Sequence, residues 1–237
     1  MHTIRFMSLL IMVGLITGCT TFPRFYLGAD EIHGKVVDAE TKQPIKDVVV
    51  VAVWELYGGI FERQHTANLV LRETVTDEDG NYSFDSWGPR FTISGYLEDE
   101  SPDLIFYKFG YKSEWMNDYY AQLMFKDLRW YEASYKRLEW SGRTLELKKF
   151  VGTPIDYSKV TSSLDSFLEY GRWYRGCDWK RVPRYTAAMV KLTQYLASTS
   201  AYGGPSSLTL DQLRANGSRC GFNAGEVDKL LGEYLNE

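Results

Sequence analysis

Few side chains in this chain can do covalent or proton-transfer chemistry, and their spacing narrows the choice further. Of three histidines, His2 precedes an apolar run, His33 falls in an alternating stretch and His65 stands alone. Neither His33 nor His65 opens an H-x-x-E or H-E-x-x-H, and no C-x-x-C adds thiolates, so the ligand sets of zinc peptidases are missing. A G-x-S-x-G elbow, a P-loop and a G-x-G-x-x-G turn are missing too. Asp77, Asp79 and Asn81 begin like an EF-hand loop, but Gly88 stands where the acidic twelfth ligand belongs, and a turn accounts for them. Glu98, Asp99, Glu100 and Asp103 beside Pro102 are expected to be a solvated loop. No catalytic residue, metal or cofactor is expected. The remaining chemistry belongs to three cysteines and to aromatic rings.

Residues 1–18 have the build of an export signal: Arg5 supplies a positive start, and Phe6 to Ile16 form an apolar run too short to span a bilayer. The tetrapeptide Ile16-Thr17-Gly18-Cys19 resembles the lipobox of bacterial lipoproteins, which implies cleavage before Cys19 and lipidation of its thiol. Several acyl chains at about 0.8 kcal/mol per buried methylene hold a protein on a membrane, where a single chain does not. Thr20 after the cysteine, rather than an aspartate, implies the outer membrane by the same resemblance, and residues 19–30 are expected to be a lipidated tether. Cys177 and Cys220 are then the two thiols left in an oxidising compartment, where a disulfide is expected. A redox role has no C-x-x-C behind it.

The elements that must position these groups belong to an ordinary globular chain. Its 237 residues are 44% apolar, 24% charged and 15% aromatic, with a net charge of −4, one unit more negative without Arg5. Disorder, collagen and multiple membrane spans are excluded. An acidic protein has no electrostatic attraction to nucleic acid, so no nucleic-acid partner is expected.

From Glu31 the pattern has period two. Ile32, Gly34 and Val36 alternate with polar residues, Asp38 to Pro44 is a polar turn, and Val48 to Trp54 is a continuous apolar run suited to a strand covered on both faces. Arg72 to Thr76 and Asn81 to Phe84 are expected to form a hairpin closed by Asp77-Glu78-Asp79-Gly80. Further strands are expected at Phe91 to Tyr96, Leu104 to Lys108 and Arg143 to Lys149. Several short strands with turn signals predict an antiparallel β-sandwich. The string Ile32-His33-Gly34-Lys35-Val36-Val37-Asp38, then Thr41, Pro44-Ile45, Val48-Val49-Val50, Thr76-Asp77-Glu78-Asp79-Gly80-Asn81-Tyr82-Ser83-Phe84 and Phe109-Gly110-Tyr111, resembles the carboxypeptidase regulatory-like, or transthyretin-like, domain. The resemblance covers residues 31–150 and implies a small Ig-like sandwich whose motif residues are structural. Two stretches depart from it, at 55–71 and 112–141, and grafted loops are where such scaffolds bind.

The second insert holds Trp115, Tyr119, Trp130 and Trp140, and basic residues from Arg172 to Arg184 are interleaved with Trp173, Trp179 and Tyr185. Trp115, Tyr119, Trp130, Trp173 and Trp179 are the candidate ligand-binding rings, suited to stacking on sugars. Core packing of an amphipathic helix through Tyr120, Leu123, Met124, Leu128 and Tyr131 is the competing reading. Residues 153–237 are expected to be a small helical domain, which makes the whole chain α+β. Thr209 with Gln212 and Asn223 with Glu226 are capping pairs, and Gly217 is placed to end a helix. Three functions follow: a non-enzymatic, membrane-anchored envelope lipoprotein that meets an envelope protein; a module for cell-envelope glycans, as in carbohydrate-binding-like folds; and an enzyme built on insert carboxylates.

Overall fold

The apolar run beginning at Val48 becomes the centre of the molecule. The computed structural model describes residues 26–58, 64–92, 95–97, 102–116, 141–170, 177–199 and 208–237. Strand β3, Val49–Gly58, is paired on both sides: with β4, Gln64–Val75, and with β8, Asp103–Tyr107. β9, Glu114–Met116, extends this sheet beyond β8, and the two-residue β7, Tyr96–Leu97, pairs with the far end of β3. Successive side chains of a strand point to opposite faces. Val50, Ala52 and Trp54 therefore enter one buried cluster, while Val49, Val51 and Val53 enter another.

The first cluster lies against a three-stranded sheet of β2, Ile32–Asp38, flanked by β5, Asn81–Phe84, and by β10, Arg143–Leu147. β10 runs parallel to β2, and β5 runs antiparallel. Val36, Tyr82, Phe84 and Leu147 fill the contact, with the Tyr82 and Phe106 rings 5.4 Å apart. A third pairing joins β1, Tyr26–Ala29, to β6, Trp87–Phe91. Leu27 and Ala29 are buried there, and Tyr26–Ala29, within the stretch expected to be a tether, belong to a strand.

The second cluster is shared with the helices. These are α1, Pro154–Tyr170; α2, Pro183–Ser198; α3, Leu210–Gly217; and α4, Ala224–Leu235. Tyr185, Met189 and Leu192 of α2 pack in the same core as Val51, Val53 and Ile105, and Val227 and Leu231 of α4 belong to it too. The helical region thus shares its core with the sheet. Among the described residues no helix is long and apolar enough to cross a membrane.

Three local expectations are altered by long-range contacts. Asn81–Phe84 does not pair with β4. The Asp77 carboxylate accepts the N–H groups of Asp79 and Asn81 at 2.9 and 2.8 Å, closing a corner that carries the chain from one sheet to the other, where β5 pairs with β2. Residues 55–58 and 64–71 continue β3 and β4 rather than leaving them. Gly217 is the last residue of α3, as its placement predicts, but with right-handed backbone, and the left-handed residue is Gly221. A Cβ on Gly217 would lie 2.9 Å from both the Phe222 carbonyl and the Val227 side chain, so this glycine serves the close approach of α4.

Candidate functional site

The residues singled out by type scatter across the structure. Cys177 and Cys220 are joined in a disulfide, 43 residues apart in sequence. Trp179 is only 2% exposed, its ring set edge-on to Phe222 at 5.5 Å, and is therefore a core side chain without a face to offer a ligand. Trp115 is half-buried against the helix-side core, and its indole N–H donates to Asp103 at 3.2 Å. Cys19, Tyr119, Trp130 and Trp173 lie outside the described residues. The basic residues around Cys177 also part company. Arg181 donates to the carbonyls of Asn68 and Leu69 at 3.1 and 3.3 Å and to Asp178 at 2.9 Å. Lys180 donates to the Cys220 carbonyl at 3.3 Å. Arg184 lies instead against Tyr234 and Glu237. His33 is exposed, with Nδ1 3.3 Å from the Ser141 hydroxyl. Among the described residues no three His, Cys, Asp or Glu side chains are grouped to hold a metal ion.

Among the described residues, a cleft of ligand size, about 580 Å³, lies between an end of the five-stranded sheet and helices α2 and α4. Val49, Val75 and Tyr107 supply its sheet wall, and Ala188 supplies the helix wall. Arg184, Ala188 and Lys191 recur at four- and three-residue steps and so share one face of α2, the small alanine leaving space between two cations. Lys108, just beyond β8, adds a third cation; its ammonium donates to the Lys46 carbonyl at 2.6 Å, and burial lowers its pKa against the pull of nearby Asp47. Asp47 has a left-handed backbone, φ 58°, an arrangement that aspartate tolerates better than most residues. The Arg184 guanidinium sits 4.9 Å above the Tyr234 ring and 3.7 Å from a carboxylate oxygen of Glu237. Tyr107 is deeply buried, which pushes its phenol well above the ordinary value and keeps it neutral.

The helix wall is held in place from the sheet. Val182 precedes α2 without a side-chain cap, and Glu73 of β4 takes over that function, its two carboxylate oxygens accepting the N–H groups of Arg184 and Tyr185 at 2.8 Å each. Burial raises the Glu73 pKa, and these two N–H groups oppose the shift. The sequence run places Arg184 beside Arg172 to Arg181, whereas in the cleft it stands with Lys108 and Lys191. The one local signal was the Arg184, Ala188, Lys191 spacing, because its partners lie over 70 residues earlier on the sheet. The fold and the cleft define the protein's class: an α+β protein in which helices cover one face of a β-sheet. No protein-family model, no curated protein and no solved structure matches the chain.

Proposed function

We propose that the chain is an exported envelope lipoprotein, anchored through Cys19, whose folded part is a non-enzymatic interaction module of carboxypeptidase regulatory-like sandwich design. The use of the cysteines carries this reading: Cys19 ends an export motif, and the remaining two, Cys177 and Cys220, are paired as suits an oxidising compartment. The sandwich reading is supported by what the motif residues do. The Tyr82 ring lies over Gly34, where a Cβ would come within 2.6 Å of it. Thr76 ties Ile45 to Val48, Asp77 closes the corner, and Tyr111 donates to Asp38 at 3.1 Å.

Metabolic labelling with an alkyne-tagged palmitate tests the anchor. The wild-type chain takes up the tag and sediments with outer membranes, and Cys19→Ala does neither; uptake by Cys19→Ala, or none by the wild type, would overturn it. Crosslinking in cells then identifies the partner, and retention on purified peptidoglycan without a protein crosslink would favour a glycan instead.

A further inference from the structure

The cleft combines features that a general packing defect lacks. Its volume, about 580 Å³, falls in the range of small-molecule sites, and Val49, Val75 and Tyr107 on the sheet wall and Ala188 on the helix wall give it an apolar part. Cations line it on both walls, Lys108 on the sheet side and Arg184 with Lys191 on the helix side. The two acidic residues lining it limit what charge it accepts: Asp47 and Glu237 would repel a polyanion such as a nucleotide, while three basic side chains against two acidic ones suit a single negative charge. The chain marks a place for that charge itself. Glu237 brings its carboxylate to 3.7 Å from Arg184, an ion pair too long for a hydrogen bond, which a better-placed ligand carboxylate can replace.

We propose that this cleft binds a small amphiphilic carboxylate, the apolar body lying between β3 and Ala188 and the carboxylate held by Arg184 and Lys191. The inference does not rest on the anchor. The cleft is at the Val49 end of β3, whereas β1, the first described strand, pairs with β6 at the level of Trp54, where the Trp54 and Trp87 rings are 5.6 Å apart. Five residues of strand at about 3.3 Å each separate these levels.

Isothermal titration of the purified full chain in buffer, with injections into buffer alone as blank, tests this with 4-phenylbutanoate, 4-phenylbutan-1-ol and 4-phenylbutylamine. Saturable binding of the acid is expected, with the alcohol weaker by about tenfold, the loss of one charge-assisted contact, and the amine silent. Lys191→Glu should weaken the acid by about tenfold or more, and Glu237→Gln should tighten it by removing the competing carboxylate. Ala188→Trp should abolish binding by filling the space. Equal affinity for acid and alcohol, undiminished binding by Lys191→Glu, or no binding of the acid would each overturn the proposal. Should Ala188→Trp fail to fold, Lys191→Glu at an unchanged unfolding temperature decides alone. None of these outcomes reads lipidation, so the two proposals fail separately.

Discussion

Thr76 and Asp38 explain why a turn motif can be written in so few residues. The Thr76 hydroxyl accepts the Val48 N–H at 2.9 Å and donates to the Ile45 carbonyl at 2.6 Å, both out of contact with water. Thr76→Val keeps the shape and leaves a buried donor and acceptor unpaired, so denaturant unfolding should show a loss of about 1–3 kcal/mol. Asp38 is 3% exposed and accepts N–H groups from Thr41 and Glu40, at 2.9 and 3.0 Å, with the Tyr111 hydroxyl and Lys149 on its other oxygen. The Thr41 N–H does most to hold its pKa down, at about 2 against an ordinary 3.8. A depressed folded-state pKa means that the stabilisation is complete above the unfolded value and lost as pH falls through the folded one. The unfolding temperature should therefore drop between pH 4 and pH 2, and Asp38→Asn, less stable at neutral pH, should show a smaller drop over that interval. An equal acid slope in the variant would place the acid sensitivity elsewhere. Gly34, Thr76 and Asp77 were all legible as a motif, but the atoms they serve were not, since Tyr82, Ile45 and Val48 reach them only through the folded sheets.

At the scale of elements, caps divide into those written locally and one supplied from a distance. Thr209 and Gln212, like Asn223 and Glu226, form reciprocal capping boxes at α3 and α4, as their three-residue spacing predicts. α2 has Pro183 in its first turn and no local acceptor, and Glu73, over 100 residues away, closes it. Glu73→Ala should cost about 1–2 kcal/mol, the range for losing a helix N-terminal acceptor, and Glu73→Gln, which keeps one acceptor oxygen, should cost less. Circular dichroism melts of the three proteins rank them, and an order other than wild type, Gln, Ala would sink this role. Edge strand β4 is handled in a similar way. Arg181 covers the carbonyls of Asn68 and Leu69, and Arg90 donates to Leu69 at 3.3 Å, so this stretch of edge has its acceptors occupied. Nothing in the run from Arg172 to Arg184 distinguishes an arginine that binds a sheet edge from one that lines a cleft.

For the whole molecule, the disulfide ties the turn that touches β4 to the link between α3 and α4. Closing a loop of 43 residues is worth about 4 kcal/mol in the chain-entropy account. Replacing Cys177 and Cys220 by serine should then lower the unfolding temperature by about 10 °C, at roughly 2–4 °C per kcal/mol for a chain of this size. A melt unchanged by the double replacement would mean that the shared core alone holds the helices. The sequence by itself determined what neighbouring residues decide: β3 buried on both faces, the polar corner at Asp77, two capping boxes and two cysteines for one bridge. Those signals act over a few residues, through backbone hydrogen bonds and side-chain periodicity. Only the tertiary structure decided that β5 pairs with β2, that Trp179 is core, that Glu73 closes α2, and that Lys108 faces Arg184 and Lys191 across a cleft. Each of these joins residues far apart in the chain, and their meeting depends on which sheet face the helices cover, a choice that no local spacing encodes.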